Sequence, residues 1–99
     1  MKKEEKIKIL QDLKRQFFDS NDYEKMMDLR DLIISGVLEC PFDAQREETF
    51  LKQLVFWKGD INTYIYNVKT NFDLSVNRGR TELAINGIIK TVEFSLSDF

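Results

Sequence analysis

A period-two alternation of apolar and polar residues runs from Tyr64 to Leu96, and it constrains the fold more than any other feature of this chain. Tyr64, Tyr66, Val68, Phe72, Leu74 and Val76 share one parity, while Asn67, Lys69, Asn71, Asp73 and Ser75 occupy the other. The pattern resumes at Leu83 and Ile85, crosses Asn86-Gly87, and continues through Ile88, Val92, Phe94 and Leu96. Successive side chains of a strand point to opposite faces, so this alternation predicts sheet with one buried and one solvated face. Strands are expected at about 62–76, 80–85 and 88–96, turned by Asn77-Arg78-Gly79 and by Asn86-Gly87. Asn-Gly between apolar runs is the strongest short hairpin signal.

Upstream the period changes to that of a helix. Ile7, Leu10, Leu13, Phe17 and Phe18 share one side of a helix at about 3–18. Asp19-Ser20-Asn21-Asp22 stops it and supplies oxygen acceptors to cap the next. A second helix at about 22–35 gathers Tyr23, Met26, Met27, Leu29, Leu32, Ile33 and Ile34, with Gly36 as its terminator. Pro41, the sole proline, disfavours helix at Cys40. A third helix at about 43–58 places Ala44, Phe50, Leu51, Leu54 and Trp57 inward and ends at Gly59.

A sheet with one apolar face must be covered, and the helices are the cover available. The expected fold is therefore α+β, one domain over residues 1–99. Three N-terminal helices pack on one face of a C-terminal three-stranded antiparallel β-meander. One alternative bears on function, because Ile61, Tyr64, Ile65, Val68 and Phe72 also fit helical spacing. Helix at 60–71, with a short strand at Val37–Cys40 and a C-terminal hairpin, gives the order of a winged helix. Against it, Thr63, Tyr64, Ile65, Tyr66 and Val68 are β-branched or aromatic.

Composition removes several function classes. The 99 residues contain no histidine, hence no imidazole base or metal ligand. A single cysteine cannot build a Cys/His zinc site or an internal disulfide, and suits a reducing cytoplasm. The four glycines are isolated, so no phosphate-cradling loop occurs. Net charge is −2 and evenly spread, which argues against a nucleic-acid footprint. No apolar stretch is of signal-peptide or membrane-spanning length. No catalytic residue, cofactor or metal site is expected.

The remaining candidates are for partner binding. Glu24, Asp28 and Asp31, at i, i+4 and i+7, form an acidic stripe suited to a basic surface or, less simply than a solvated helix face, a cation. The Asp19 segment begins like a calcium loop but has Glu24 where that loop needs glycine. Cys40-Pro41 stands without the histidine that a haem site would use. Arg78 and Arg80 flank Gly79 at the expected hairpin tip, where a winged helix, aided by Lys69 and Lys90, would meet a phosphate backbone. Arg80-Thr81-Glu82-Leu83-Ala84 with Gly87-Ile88 and Thr91-Val92 resembles part of a helix-turn-helix repressor motif. The glycine follows the alanine one residue too soon for that motif, which would turn its second helix out of register.

Phe56 lies off the apolar stripe of the third helix, as an exposed anchor would. Phe99 ends an apolar segment able to dock in a partner's groove. An open meander also leaves sheet edges free to pair. The expected function is thus a small, non-catalytic, cytoplasmic protein-interaction or regulatory (inhibitor) protein, acting on another protein through a folded surface or sheet edge. Homodimer formation is a further expectation for so short an aromatic-rich chain. The alternative is a winged-helix nucleic-acid-binding regulator.

Overall fold

The computed structural model describes residues 1–97 and Phe99, and the described chain is helical throughout. Its elements are α1 (Lys3–Asp19), α2 (Tyr23–Leu38), α3 (Ala44–Lys69), α4 (Ser75–Lys90) and a 3₁₀ turn at Thr91–Phe94. No strand occurs among the described residues, so the α+β fold and its meander are overturned in favour of a helical bundle. A winged helix fails with it. Residues 60–71 are indeed mostly helical, but as the continuation of α3, and neither the Val37–Cys40 strand nor a wing is formed.

Neighbouring helices run antiparallel. Leu10 of α1 packs on Gly36 of α2, and Lys6 pairs with Glu39 at 3.2 Å. Arg30 of α2 donates to Asn62 of α3 at 2.6 Å. Lys14 of α1 donates to Asn86 of α4 at 2.8 Å, closing an up-down-up-down bundle. Leu10, Phe17, Met26, Ile33, Val37, Ile61, Ile85, Ile88, Ile89 and Val92 fill the centre. Phe17, Phe18 and Tyr64 meet with ring centroids 5.1–5.9 Å apart. Gly36 does not end α2, which continues to Leu38.

The decisive departure from expectation lies between Gly59 and Gly87. Gly59 should stop α3, yet the helix continues to Lys69. An interior glycine costs roughly 1 kcal/mol relative to alanine. Beyond it, Ile61, Tyr64 and Ile65 are all buried on one helical face, each contributing roughly 1.5–3 kcal/mol. Burial outweighs both the glycine and the β-propensity of this stretch. α3 ends at Lys69, and just beyond its cap Asn71, with a left-handed φ of 56°, turns the chain, the Phe72 amide donating to the Asn67 carbonyl at 2.9 Å. The Asp73 carboxylate accepts from the Ser75 amide and hydroxyl at 3.0 and 2.8 Å and starts α4.

The hairpin at Asn86-Gly87 is overturned for a specific reason. Gly87 lies inside α4, where a Cβ would stand 2.7 Å from Cζ2 of Trp57. The glycine is there for close approach, not for a turn. Asn77-Arg78-Gly79 likewise lies within α4, with Asn77 accepting from Asn67 at 2.7 Å. The helix-turn-helix resemblance falls too, since α4 is unbroken through Gly87.

Gly87→Ala is expected to lower stability by about 1–3 kcal/mol through overpacking on Trp57, or about 4–8 °C in melting temperature per kcal/mol. Gly59 has nothing within 4 Å of a built Cβ, so Gly59→Ala should raise stability by about 0.5–1 kcal/mol. Thermal melts followed at the helical circular-dichroism band check both, and equal effects of the two substitutions would contradict the packing described. Asp73 is held below the usual aspartate value of 3.8 by the hydrogen bonds from the Ser75 side chain and amide. A depressed carboxylate stabilises above its unfolded value and loses that contribution as pH falls through its folded value. Melting temperature should therefore decline on acidification below about pH 4, and less steeply in Asp73→Asn.

Candidate functional site

From Ala44 to Lys58 only Phe50, Leu54 and Trp57 are drawn inward, so the N-terminal half of α3 stands largely exposed. Two features support its start: the Asp43 carboxylate accepts from the Arg46 amide at 2.9 Å, and Pro41 precedes it. Ala44 and Leu51, expected in the core, face solvent instead. With 26 residues α3 is the longest element, running roughly 39 Å at 1.5 Å per residue. The molecule itself measures 42 Å along its longest axis.

Between this half-helix and the 3₁₀ turn lies a groove of about 560 Å³. Its floor is aromatic: Phe50, Trp57 and Phe94. Phe42 stacks on Phe50 at 6.2 Å, Phe50 meets Trp57 at 6.2 Å, and Trp57 rests on Gly87. Arg46 fixes the far wall by donating to the Phe94 carbonyl at 3.0 Å with its guanidinium over the Phe94 ring. Leu96 ties the following segment to the α2–α3 connector through its amide and the Pro41 carbonyl, at 2.8 Å.

The rim is polar and neutral. Gln45, Thr49 and Gln53 succeed one another at four-residue spacing along α3, opposite Thr91. The hydroxyls of Thr49 and Thr91 are spent on backbone carbonyls of their own helices, Gln45 and Gly87. The amides of Gln45 and Gln53 make no hydrogen bond among the described residues. Asp43 and Arg46, the charged pair in the lining, neutralise one another at 3.5 Å. Such a lining can hold an apolar side chain and bond the peptide that carries it. It holds no nucleophile with a base beside it.

The seven residues expected to bind partners are not brought together. Phe56 is 72% exposed on α3 and does not line the groove. Arg78 is structural: its guanidinium sits 4.5 Å over the Phe18 ring, and no hairpin tip exists to present it. Arg80 points outward from α4. Lys69 covers the Tyr23 ring at 5.1 Å. Phe99 is partly buried against the molecule's own core. Glu24, Asp28 and Asp31 are exposed on α2, with Asp31 held by Arg30 at 2.9 Å. They belong to no cluster of metal-ligating residues among the described residues.

No free edge strand is available among the described residues, because there is no sheet. The groove itself escapes sequence reasoning because the fold brings Phe94, near the C-terminus, against Gln53 and Trp57 from the middle of the chain. Gly87, which lets Trp57 approach α4 closely, reads as a turn residue in isolation. No family model, curated protein or solved structure matches this chain. Among the described residues, no helix is long and apolar enough to cross a membrane.

Cys40 is buried, its thiol donating to the Gly36 carbonyl at 3.5 Å. Burial raises its pKa above the ordinary thiol value, against the opposing pull of Lys6. Alkylation in the native state is therefore expected to be slow, and to accelerate by orders of magnitude in denaturant. Mass-spectrometric timing of iodoacetamide uptake checks this, and native labelling at the denatured rate would contradict the burial.

Proposed function

We propose that this chain is a non-catalytic protein-interaction module of regulatory or inhibitory kind. It recognises another protein through the groove between α3 and the 3₁₀ turn. The observation that carries this is a floor of three aromatic side chains held open beneath a rim with unpaired amides. A partner's apolar side chain enters against Trp57 and Phe50. Gln45 and Gln53 then bond the partner's peptide groups, and Phe56, exposed on the same helix, extends the contact. Aromatic anchors of this type dominate protein interfaces, because they bury large areas at little entropic cost.

One buried anchor contributes roughly 1.5–3 kcal/mol, whereas micromolar affinity needs about 8 kcal/mol net of association costs. The partner therefore engages the rim and Phe56 as well as the floor. A cytoplasmic setting is part of this proposal, in keeping with a single, reduced cysteine.

Thr49→Arg and Gln53→Arg fill the groove from exposed positions. In affinity capture from the source cell, a protein retained by the unmodified chain should be lost from both variants. The same protein should survive Glu24→Lys on the distant acidic stripe. Equal recovery with all three variants would sink the groove as the binding site.

A further inference from the structure

We infer that the opposite flank of α3 is a self-association surface, occupied by α3 of a second copy running antiparallel. Glu47, Leu51, Val55 and Lys58 fall within an arc of about 80° at 100° per residue, forming one stripe along three turns. All four are exposed, Val55 to 70%. The groove residues Thr49 and Gln53 point away from this stripe by well over a right angle, about 160°. The two surfaces are therefore independent, and nothing here depends on the groove binding a protein.

The order of the stripe specifies the occupant. An acid stands at one end, a base at the other, and two aliphatic residues lie between. Such an order is its own complement when reversed. With a two-fold axis opposite residues 52 and 53, Glu47 faces Lys58 of the second copy, and Leu51 faces its Val55. The same contacts recur on the other side of the axis, as an isologous interface requires. Elsewhere on this half-helix the charges are already matched: Lys52 bonds Glu48 at 3.2 Å, and Arg46 is paired with Asp43. Glu47 and Lys58 have no ion-pair partner among the described residues. The intact chain thus leaves unpaired the two charges that a second copy would pair. One helix pair is at the small end of specific interfaces, below roughly 1,200 Å², so the dimer is weak and forms at high concentration.

The test is sedimentation equilibrium of the full chain up to millimolar concentration, with Glu47→Lys and Lys58→Glu prepared separately. Helical circular dichroism verifies that each variant is folded. In Glu47→Lys all four facing charges are positive, and in Lys58→Glu all four are negative, so each alone should associate about tenfold more weakly. An equimolar mixture of the two restores both opposite-charge pairs and should dimerise at least as well as the unmodified chain. Thr49→Arg, which blocks the groove, should leave dimerisation unchanged. A monomeric unmodified chain, undiminished dimerisation of the single variants, or a monomeric mixture would each overturn the proposal. Loss of the dimer in Thr49→Arg would also overturn it, by moving the contact into the groove.

Discussion

The bundle depends on one close approach, the indole of Trp57 lying on the backbone of α4 at Gly87. A side chain larger than hydrogen at residue 87 would stand inside the contact distance of the ring. Because Trp57 is rigid and α4 is a continuous helix, this contact fixes the separation of α3 and α4. It also fixes their register, together with the Asn67–Asn77 hydrogen bond at the other end of the pair. Thr81, fully buried between these two points, gives its hydroxyl to the Asn77 and Asp60 carbonyls at 2.8 and 3.4 Å. Its polar atom is thereby satisfied within the core, which an apolar interior requires.

The same contact builds the groove. Seated on Gly87, Trp57 meets Phe50 at a tilt of 49° and lines the groove with it. Phe50, backed by Phe42, continues the floor, and Arg46 brings Phe94 to the far wall. Structural and candidate binding roles thus meet in the N-terminal half of α3. This half is helical by virtue of its Asp43 cap and three inward anchors, and it carries little else of the core. An element with so few buried contacts leaves two long flanks free. One is aromatic and neutral, the other aliphatic and bracketed by opposite charges.

The amphipathic face of α1 was legible in the sequence because only one period fits Ile7, Leu10, Leu13 and Phe17, and Leu10 and Phe17 are indeed fully buried. Asp22 was legible as an acceptor at a helix start for the same local reason. The stretch from 60 to 96 was not, because two periods fit it. Tyr66, Phe72, Val76 and Leu83 gave the alternation its strength, yet the structure leaves all four exposed, Leu83 to 72%. The counter-signal was Ile65 and Ile89, which the expected strands would have turned to water and a helix buries. None of the expected site residues lines the groove, although Phe56 shares α3 with Gln53 and Trp57, which do. The departure of Phe56 from the helix stripe is a local property that sequence reveals, whereas the groove floor joins residues from both halves of the chain.

By itself the sequence determined an apolar inventory sufficient for a small core, two amphipathic N-terminal helices, the capping acceptor before the second, and the absence of imidazole and thiol-pair chemistry. Tertiary structure decided the C-terminal half. Local β-preference there amounts to tenths of a kcal/mol per residue, up to about 1. Covering the faces of α1 and α2 with Ile61, Tyr64, Ile65, Ile85, Ile88 and Ile89 contributes about 1.5–3 kcal/mol for each residue buried. Burial wins, and it comes from contacts between residues distant in the chain. So does the meaning of Gly87: a turn by its neighbours in sequence, a seat for Trp57 by its neighbours in space.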